Sequence, residues 1–184
     1  MLSSPQLRLS CALIVSALAA LAWSLARRRQ SGCAEEVPDR PGLLLRTLSS
    51  NDYDKGYFDL LQQLTAAPRV PEDAFCSRVR AVKHNHATVL VIEDTRRRVL
   101  VASATLLVES KFIRSCGRVG HIEDVVVDAA CRGMGLGALL VRRLSAMARE
   151  IGCYKSILDC ADGMVPFYEK CGFESKGVQM AQYF

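Results

Sequence analysis

The clearest pattern of apolar and polar positions lies between residues 120 and 149. Residues 122–127 are apolar and mostly β-branched except for Glu123 and Asp124, which predicts a strand covered on both faces. Three glycines follow within residues 133–137, and apolar side chains then recur at helical spacing from Leu139 to Met147. The pattern therefore predicts a strand, a glycine-rich loop and an amphipathic helix in direct succession.

The glycine-rich loop is suited to bind a phosphate group. The first N–H groups of a helix have no internal partner and lie at the positive end of its dipole, and glycines let the backbone approach an anion closely. Residues 133–138 fit the dinucleotide pattern G-x-G-x-x-A, with Asp159 at the place of a ribose-binding acid. However, such a domain needs several further βα units, and only 47 residues follow Gly137. We favour the alternative pattern R-x-x-G-x-G, which resembles the acyl-CoA pyrophosphate loop of the GCN5-related N-acetyltransferases.

The rest of the chain predicts an α+β domain. Strands are predicted at residues 43–48, 155–160 and 175–180, helices at 53–64, 72–82 and 165–170, and a hairpin from 88–93 and 99–108. Residues 109–120 are predicted to form a basic connection into the central strand. This order predicts a mixed, mostly antiparallel sheet with helices on both faces.

The N-terminal segment has a different character. Residues 9–26 are an 18-residue apolar run with three serines, long enough to span a bilayer as a hydrophobic helix. Three arginines follow the run and one precedes it, which places the rest of the chain in the cytosol. We predict a membrane anchor at 1–30, with the endoplasmic reticulum as the expected membrane, a linker at 31–41 and a folded domain at 42–184. An organelle transit peptide is the alternative, because the segment contains Arg and Ser and no acid.

Composition excludes several classes of function. The net charge of +5 comes mainly from residues 1–30, since the remainder carries 20 basic and 19 acidic residues, a net +1. There is no basic face or aromatic stripe, so no nucleic-acid partner is expected. The eight cysteines form no C-x-x-C pair, and no group of residues has metal-ligand spacing. Neither a disulfide framework nor a metal site is therefore predicted.

Four runs of the sequence carry a more specific pattern. They are Phe58-x-x-Leu61-x-x-Leu64-Thr65; Glu109-x-Lys111-Phe112-Ile113; Gly120-His121-Ile122-Glu123-Asp124-Val125; and Gly152-Cys153-Tyr154-Lys155 through Leu158-Asp159-Cys160 to Phe167-Tyr168-Glu169-Lys170-Cys171-Gly172-Phe173. Together they resemble the glucosamine 6-phosphate N-acetyltransferases, a branch of the GCN5-related (GNAT) superfamily, over residues 43–184. The R-x-x-G-x-G loop alone would identify only the superfamily.

The resemblance implies a GNAT fold and an acyltransferase of amino-sugar metabolism. Such an enzyme transfers the acetyl group of acetyl-CoA directly, in a ternary complex, to the amine of D-glucosamine 6-phosphate, giving N-acetyl-D-glucosamine 6-phosphate and CoA in the pathway to UDP-N-acetylglucosamine. No metal is implied. Members of the family are homodimers whose sugar site is completed across the interface, so we expect a homodimer in which the C-terminal strand packs on the partner.

Acetyl-CoA is expected to contact mainly backbone amides. If the central strand splays from its neighbour, its free N–H groups can pair with the pantetheine arm and polarise the acetyl carbonyl. By resemblance, Tyr168 protonates the departing thiolate. The implied acetyl-CoA contacts are Val125, Val126, Val127, Arg132, Gly133, Met134, Gly135, Leu136, Gly137, Phe167 and Tyr168.

The sugar needs groups for its hydroxyls, its amine and its phosphate. The resemblance implies that Asp159, Glu123 and Asp124 act with Tyr168 as the catalytic set. Because successive strand side chains point to opposite faces, only one of Glu123 and Asp124 is expected to face the sugar. The implied substrate contacts are Thr65, Lys111, Phe112, Ile113, Arg114, Glu123, Asp124, Val125, Tyr154, Lys155 and Asp159.

The phosphate contacts depart from the family pattern in two places. Arg114 stands where relatives often carry His, although a guanidinium can bind a phosphate with two hydrogen bonds. The C-terminal Tyr183-Phe184 lacks the arginine that some relatives place there. Lys111, Arg114 and Lys155 are therefore the cations expected to hold the phosphate.

Two other functions are compatible with a GNAT domain. One is acetylation of a different amine, such as a lysine or a protein N-terminus, which would call for an open groove and not a compact group of cations. The other is a membrane-tethered acyl-CoA-binding module without turnover. That module would not need Tyr168 and Asp159, and this chain has both.

Overall fold

The computed structural model describes residues 34–184. The predicted anchor at residues 1–30 and the first residues of the predicted linker lie outside the described residues, and the membrane assignment stays a prediction. Within the described part, no helix is both long and apolar enough to cross a bilayer.

The described residues form one six-stranded sheet in which the strands lie side by side in sequence order. Neighbouring strands are antiparallel except for the parallel pair β5 and β6, so the predicted mixed, mostly antiparallel sheet is confirmed. The strands are β1 (Glu35–Glu36), β2 (Leu43–Thr47), β3 (Ala87–Asp94), β4 (Val99–Ser110), β5 (Arg118–Val127) and β6 (Cys153–Ile157).

Helices cover both faces of this sheet, as predicted, and each face has its own core. The helix after the glycine-rich loop lies on one face, where Leu140, Val141 and Leu144 are completely buried. The first two helices lie on the other face and bury Leu60 and Phe75. The helices are α1 (Tyr57–Leu61), α2 (Glu72–His84), α3 (Leu136–Ile151) and α4 (Val165–Glu169).

The first helix is shorter than the predicted range 53–64. A 3-10 helix (Ser50–Asp52) precedes it, and Gly56 then interrupts the helix with a left-handed φ of 72°. The Asp52 carboxylate is fully buried and accepts two hydrogen bonds of 2.7 Å from the Arg46 guanidinium, while Lys55 lies 2.8 Å from Glu93. This buried ion cluster fixes the start of the segment in a conformation that helical periodicity cannot indicate.

The connection predicted at residues 109–120 is also shorter than expected. β4 continues to Ser110 and β5 already begins at Arg118, so only residues 111–117 join them. These residues include a helical turn (Ile113–Cys116) in which Arg114 and Ser115 have left-handed φ angles of 56° and 55°. Such angles are unfavourable for residues other than glycine by about 1–2 kcal/mol each, so the turn is strained in the isolated chain.

The last predicted strand, 175–180, is not formed within residues 34–184. Val178 and Met180 are 92% and 93% exposed, because no other strand of the described chain lies beside them and no sheet face covers their side chains. The predicted strand is therefore wrong for the single chain.

Part of the range predicted as a linker belongs to the domain. Glu35 and Glu36 pair with β2, and Val37 is buried in the core below α3. The backbone N–H of Val37 donates to the Leu43 carbonyl at 2.9 Å. Residues 35–37 therefore belong to the folded domain, because one apolar side chain and two backbone pairs attach them to the sheet edge.

Candidate active site

The sheet opens between β5 and β6. The pairing of these parallel strands ends at His121 and Ile157, and within residues 34–184 no strand pairs with that edge of β5 beyond His121. The remaining residues of β5, including Val125–Val127, therefore present one edge of backbone groups to the opening. The splayed central strand expected for an acyl-CoA site is present.

A β-bulge at Asp124 lies next to this opening. Between β4 and β5, the register changes from Thr105 opposite Glu123 to Ser103 opposite Val126, which leaves one extra residue on β5. Asp124 itself has a left-handed φ of 51°.

The bulge reverses the side-chain alternation that the sequence suggests. Ile122 packs in the core below α3, whereas Val126 packs in the core of α1 and α2. In a regular strand these two side chains would point the same way. Alternation therefore does not decide which of Glu123 and Asp124 faces a substrate.

The glycine-rich loop joins the end of β5 to α3 with an open backbone. Gly133 and Gly135 have φ angles of 80° and 81°, and a β-carbon on either would meet no atom within 4 Å. Gly135 directly precedes the first residue of α3, a helix of 16 residues. The geometry provides free space in front of a helix N-terminus, which is what a pyrophosphate requires.

The side chains around the loop anchor it to the fold. Leu136 is buried in the α3 core, and the Arg132 Nε donates to the Val127 carbonyl at 3.3 Å. A β-carbon at Gly137 would lie 3.4 Å from both Phe167 and Val127, so α4 packs closely on the start of α3. The loop, the exposed edge of β5 and α4 therefore surround one space.

A cavity of about 290 Å³ adjoins the loop. Met134, Gly135 and Leu136 line it together with residues 37–40 of the turn between β1 and β2. Residues 37–40 were not predicted to belong to the site, because they fall in the predicted linker. The local signal in the sequence is Val37, an apolar residue that follows two glutamates.

Tyr168 lies on α4, half-buried beside two other aromatic rings. Its ring is 4.9 Å from that of Phe167 and 6.3 Å from that of Phe173, both in edge-on geometry. Burial raises the pKa of the Tyr168 phenol, and the neighbouring Cys160 and Cys171 raise it further. The phenol is therefore protonated at neutral pH, as a proton donor must be.

Acidic side chains line β5 and the end of β6. Burial raises the pKa of Glu123, and the carboxylates of Asp159 and Asp124 raise it further, while His121 opposes them. Asp159 also accepts a 3.0 Å hydrogen bond from the Gln179 amide. The structure thus places two other predicted catalytic residues, Asp159 and Asp124, near enough to Glu123 to raise its pKa.

His121 connects these acids to a second group of charges. Its Nε2 lies 2.9 Å from a Glu109 oxygen and its Nδ1 lies 4.0 Å from a Glu123 oxygen. Glu109 in turn pairs with Lys111, one of the predicted phosphate cations. Neither His121 nor Glu109 was in the predicted site, although both belong to the motifs quoted for it.

Two further predicted cations meet around one aromatic ring. The Arg114 guanidinium and the Lys155 ammonium lie 6.0 and 5.9 Å from the centre of the Tyr154 ring. Lys155 pairs with Val119, four residues before Glu123 on β5. At about 3.3 Å per strand residue, this cation group is about 13 Å along the sheet from the acids.

The remaining predicted sugar contacts are exposed. Phe112 is 97% and Ile113 is 64% exposed, and Thr65 lies in the turn after α1. The structure therefore collects the predicted acetyl-CoA residues around one space, but it does not bring all the predicted sugar contacts together within one chain.

Comparison with known proteins assigns the chain to a family. Residues 50–173 match the acetyltransferase (GNAT) family. Glucosamine 6-phosphate N-acetyltransferase 1 of Oryza sativa is 50% identical over 143 residues, which cover 76% of this chain and 86% of the relative. The protein of the same name from Dictyostelium discoideum is 44% identical over 144 residues, covering 77% of this chain and 91% of the relative.

Solved structures agree with these relatives. The glucosamine-6-phosphate N-acetyltransferase of Arabidopsis thaliana superposes with a TM-score of 0.75 at 40% identity, covering 77% of this chain and 98% of that chain. An acetyltransferase of Trypanosoma brucei gives a TM-score of 0.74 at 37% identity, covering 77% and 99%. With its splayed strands and open glycine loop, the chain therefore belongs to the GNAT acetyltransferase family, in the branch of the glucosamine 6-phosphate N-acetyltransferases.

Proposed function

We propose that this enzyme transfers the acetyl group of acetyl-CoA to the amine of D-glucosamine 6-phosphate. The products are N-acetyl-D-glucosamine 6-phosphate, which would feed the pathway to UDP-N-acetylglucosamine, and CoA. The GNAT family uses acetyl-CoA, and the relatives that cover most of this chain carry this activity in their names. The main observation in support is that the open loop, the free edge of β5 and α4, the helix that carries Tyr168, adjoin one another.

Binding of acetyl-CoA would rest on backbone groups. The amides of residues 132–137 would bind the pyrophosphate, and the exposed edge of β5 would align the pantetheine arm. N–H groups of Val125–Val127 would polarise the acetyl carbonyl as negative charge develops on its oxygen. Holding both reactants in one geometry supplies up to about 7–11 kcal/mol of the barrier reduction, which fits a direct transfer in a ternary complex.

The chemical step requires two proton movements. The sugar nitrogen forms a bond to the acetyl carbon, and the carbon–sulfur bond then breaks. Tyr168 donates a proton to the departing thiolate, and the acidic group of Glu123 and Asp159 accepts the proton that the nitrogen loses. The raised pKa of Glu123 makes it a better proton acceptor than an ordinary carboxylate.

The position of the cations supports a homodimer. In one chain, the β5 residue paired with Lys155 lies four residues, or about 13 Å of backbone, before Glu123, and Arg114 lies beside Lys155 at the Tyr154 ring. Phe112, Ile113 and Val178 are exposed apolar side chains that a second chain would cover. We therefore place the phosphate of a sugar bound in one protomer against the cations of its partner.

The subcellular location is part of the same proposal. The apolar run at residues 9–26, with three arginines directly after it, would anchor the chain in a membrane and leave residues 42–184 in the cytosol. The endoplasmic reticulum is the proposed membrane, and an organelle transit peptide is the alternative. A fluorescent fusion of residues 1–40 tests the location: a cleaved fusion inside an organelle would contradict the anchor.

A thiol-release assay with the full chain tests the activity. Acetyl-CoA is supplied with glucosamine 6-phosphate, with glucosamine, or with a lysine peptide, and free CoA is measured together with the acetylated product. We expect release with glucosamine 6-phosphate and at least about tenfold less with glucosamine, because the phosphate contacts are lost. Faster release with the peptide would show that the natural acceptor is another amine and not the sugar. Binding of acetyl-CoA without any release of CoA would show that the protein is a binding module and not an enzyme.

A further inference from the structure

Gln63 links the turn after α1 to the segment that leads into the glycine-rich loop. Its Nε2 donates to the Asp128 Oδ2 at 3.0 Å, and its Oε1 accepts from the Ala129 N–H at 2.8 Å. Both ends of one carboxamide are therefore used by two consecutive residues that lie 65 and 66 positions later in the chain. Such a contact has a fixed polarity, because the donor and the acceptor of the amide cannot be exchanged.

Asp128 completes the arrangement at the end of β5. Its Oδ1 accepts from the Ala130 N–H at 2.9 Å, and its backbone N–H donates to the Val101 carbonyl at 2.9 Å. The hydrogen bond from Gln63 and the one from Ala130 hold the pKa of Asp128 below its usual value, so the side chain is a carboxylate at neutral pH. A 3-10 turn (Ala129–Cys131) follows at once and continues into Arg132 and the loop.

The contact fixes where the loop starts relative to the rest of the site. Gln63 is two residues from Thr65, a predicted sugar contact, and Asp128 is four residues before Arg132, the first predicted pyrophosphate contact. Apart from the bond of the Asp128 N–H to Val101, the backbone bonds within this turn are short-range, such as that from the Cys131 N–H to the Asp128 carbonyl at 2.8 Å. A shift of this turn would move the loop amides away from the free edge of β5.

We propose that Gln63 and Asp128 are a positioning pair that sets the acetyl-CoA affinity of the loop without touching either substrate. The proposal rests on the proposed function, since it assigns acetyl-CoA to the loop. It adds two residues that neither the motif R-x-x-G-x-G nor the catalytic set contains.

Because the amide donates and the carboxylate accepts, the pair can be tested by exchanging these two groups between positions 63 and 128. In Gln63→Glu, a carboxylate faces the Asp128 carboxylate and the two repel each other. In Asp128→Asn, an amide NH₂ faces the NH₂ of Gln63, and rotating either amide only moves the mismatch to the N–H of Ala129 or Ala130.

The double variant, Gln63→Glu with Asp128→Asn, reverses the direction of the contact. The introduced amide NH₂ at position 128 can donate to the introduced carboxylate at position 63. That carboxylate also accepts from the Ala129 N–H, and the amide oxygen at position 128 still accepts from the Ala130 N–H. The double variant therefore has the net charge of the natural chain and all three hydrogen bonds.

We expect each single variant to lose affinity for acetyl-CoA and the double variant to recover it. Each single variant is expected to raise the acetyl-CoA dissociation constant, measured by titration calorimetry on the full chain, by about three- to tenfold. The double variant is expected to return to within about twofold of the natural protein. In steady-state kinetics, the KM for acetyl-CoA should follow the same order, while kcat at saturation of both substrates changes by less than about twofold.

Gln62→Glu is the matched control, because it puts the same charge on the neighbouring residue. The Gln62 amide donates to the Ala67 carbonyl at 3.2 Å and not to the loop segment, so the acetyl-CoA dissociation constant should not change. An equal loss of affinity in Gln62→Glu would reduce the effect to a long-range charge effect and overturn the proposal.

The other outcomes are also decisive. Single variants that bind acetyl-CoA like the natural protein would overturn the positioning role, and so would a double variant as weak as the sum of the two singles. A purely structural role is excluded if the thermal midpoints of the single and double variants agree while their affinities differ. If the natural protein itself does not bind acetyl-CoA, the proposed function fails, and this inference, which rests on it, fails as well.

Discussion

The regions expected to bind the two substrates differ in how far one chain completes them. The acetyl-CoA region consists of the loop at 132–137, the free edge of β5 and α4, and it rests directly on the buried core of α3. The sugar-phosphate region includes a strained turn (Ile113–Cys116) and aromatic side chains that are largely exposed, such as Phe112. The difference indicates that folding of a single chain is sufficient to form the first region, whereas the second is incomplete in the single chain, which agrees with the proposed homodimer.

The largest expected effect concerns Tyr168, the proposed proton donor on α4. Tyr168→Phe removes the proton donor for the thiolate but keeps the ring contacts with Phe167 and Phe173. We expect kcat to fall by about 100-fold or more, as is usual for loss of a general acid, while acetyl-CoA binding stays within about twofold.

Tyr183→Phe is the control for this change, because the Tyr183 side chain is 93% exposed. Stopped-flow release of CoA separates the chemical step from binding. If Tyr168→Phe turns over as fast as the natural enzyme, Tyr168 is not the proton donor.

The next effect separates the two regions. Replacing both Arg114 and Lys155 by Ala should raise the KM for glucosamine 6-phosphate by about 30-fold, since two charge-assisted contacts at about 1 kcal/mol each would be lost. The KM for acetyl-CoA should not change. Steady-state kinetics with each substrate varied in turn measures both constants.

Mixing subunits tests whether the partner supplies these cations. Chains carrying Tyr168→Phe are combined with chains carrying the Arg114 and Lys155 replacements. If the site is shared, one of the two sites in each mixed dimer is intact and activity is recovered. Mixtures no more active than the average of the two parents would mean that each site is contained in one chain.

A smaller effect is expected for the acetyl-CoA region alone. Gly135→Ala places a β-carbon on a residue with a φ of 81°, which costs about 1–2 kcal/mol and shifts the loop amides. We expect acetyl-CoA to bind about tenfold more weakly, as measured by calorimetry, with the KM for the sugar unchanged.

Gly163→Ala is the matched control, because that glycine also faces open space but has no left-handed φ. Equal weakening in both variants would mean that the effect does not come from the loop conformation.

The smallest effect is on the pH profile. Burial first, and Asp159 second, raise the pKa of Glu123. This side chain therefore loses its proton at a higher pH than an ordinary glutamic acid does. If its carboxylate accepts the proton of the amine, kcat/KM for the sugar falls as the pH drops through the raised pKa. Asp159→Asn removes one negative neighbour, so the acid limb of the profile should move to lower pH by a fraction of a unit.

Glu72→Gln, at the start of α2 and outside the site, is the control and should leave the limb in place. A limb that moves upward in Asp159→Asn, or does not move, would contradict the coupling of the two carboxylates.

Regular periodicity explains most of what the sequence predicted correctly. The α3 helix follows an apolar pattern at a period of 3.6, the hairpin of β3 and β4 follows two apolar runs joined by a short polar turn, and both are present. The open loop followed from its glycines. These features depend on the chemistry of short local segments.

The features that could not be predicted depend on residues distant in sequence. Arg46 and Asp52 delay the start of a predicted helix through an ion cluster that includes Glu93 on β3. Asp124 forms a bulge only because β4 is paired beside it. Gln63 reaches Asp128 across the fold. No local pattern marks such contacts.

The extra residue at Asp124 makes the length of β5 as important as its composition. If β5 kept all its residues and paired regularly with β4, residues 125–127 would be turned over, so that Val126 would leave the core of α1 and α2 and its neighbours would enter it. Deleting Asp124 instead would leave Ile122 and Val126 three positions apart, so a regular strand would keep each of them in its present core. An engineer who wants to straighten β5 must therefore shorten it by one residue.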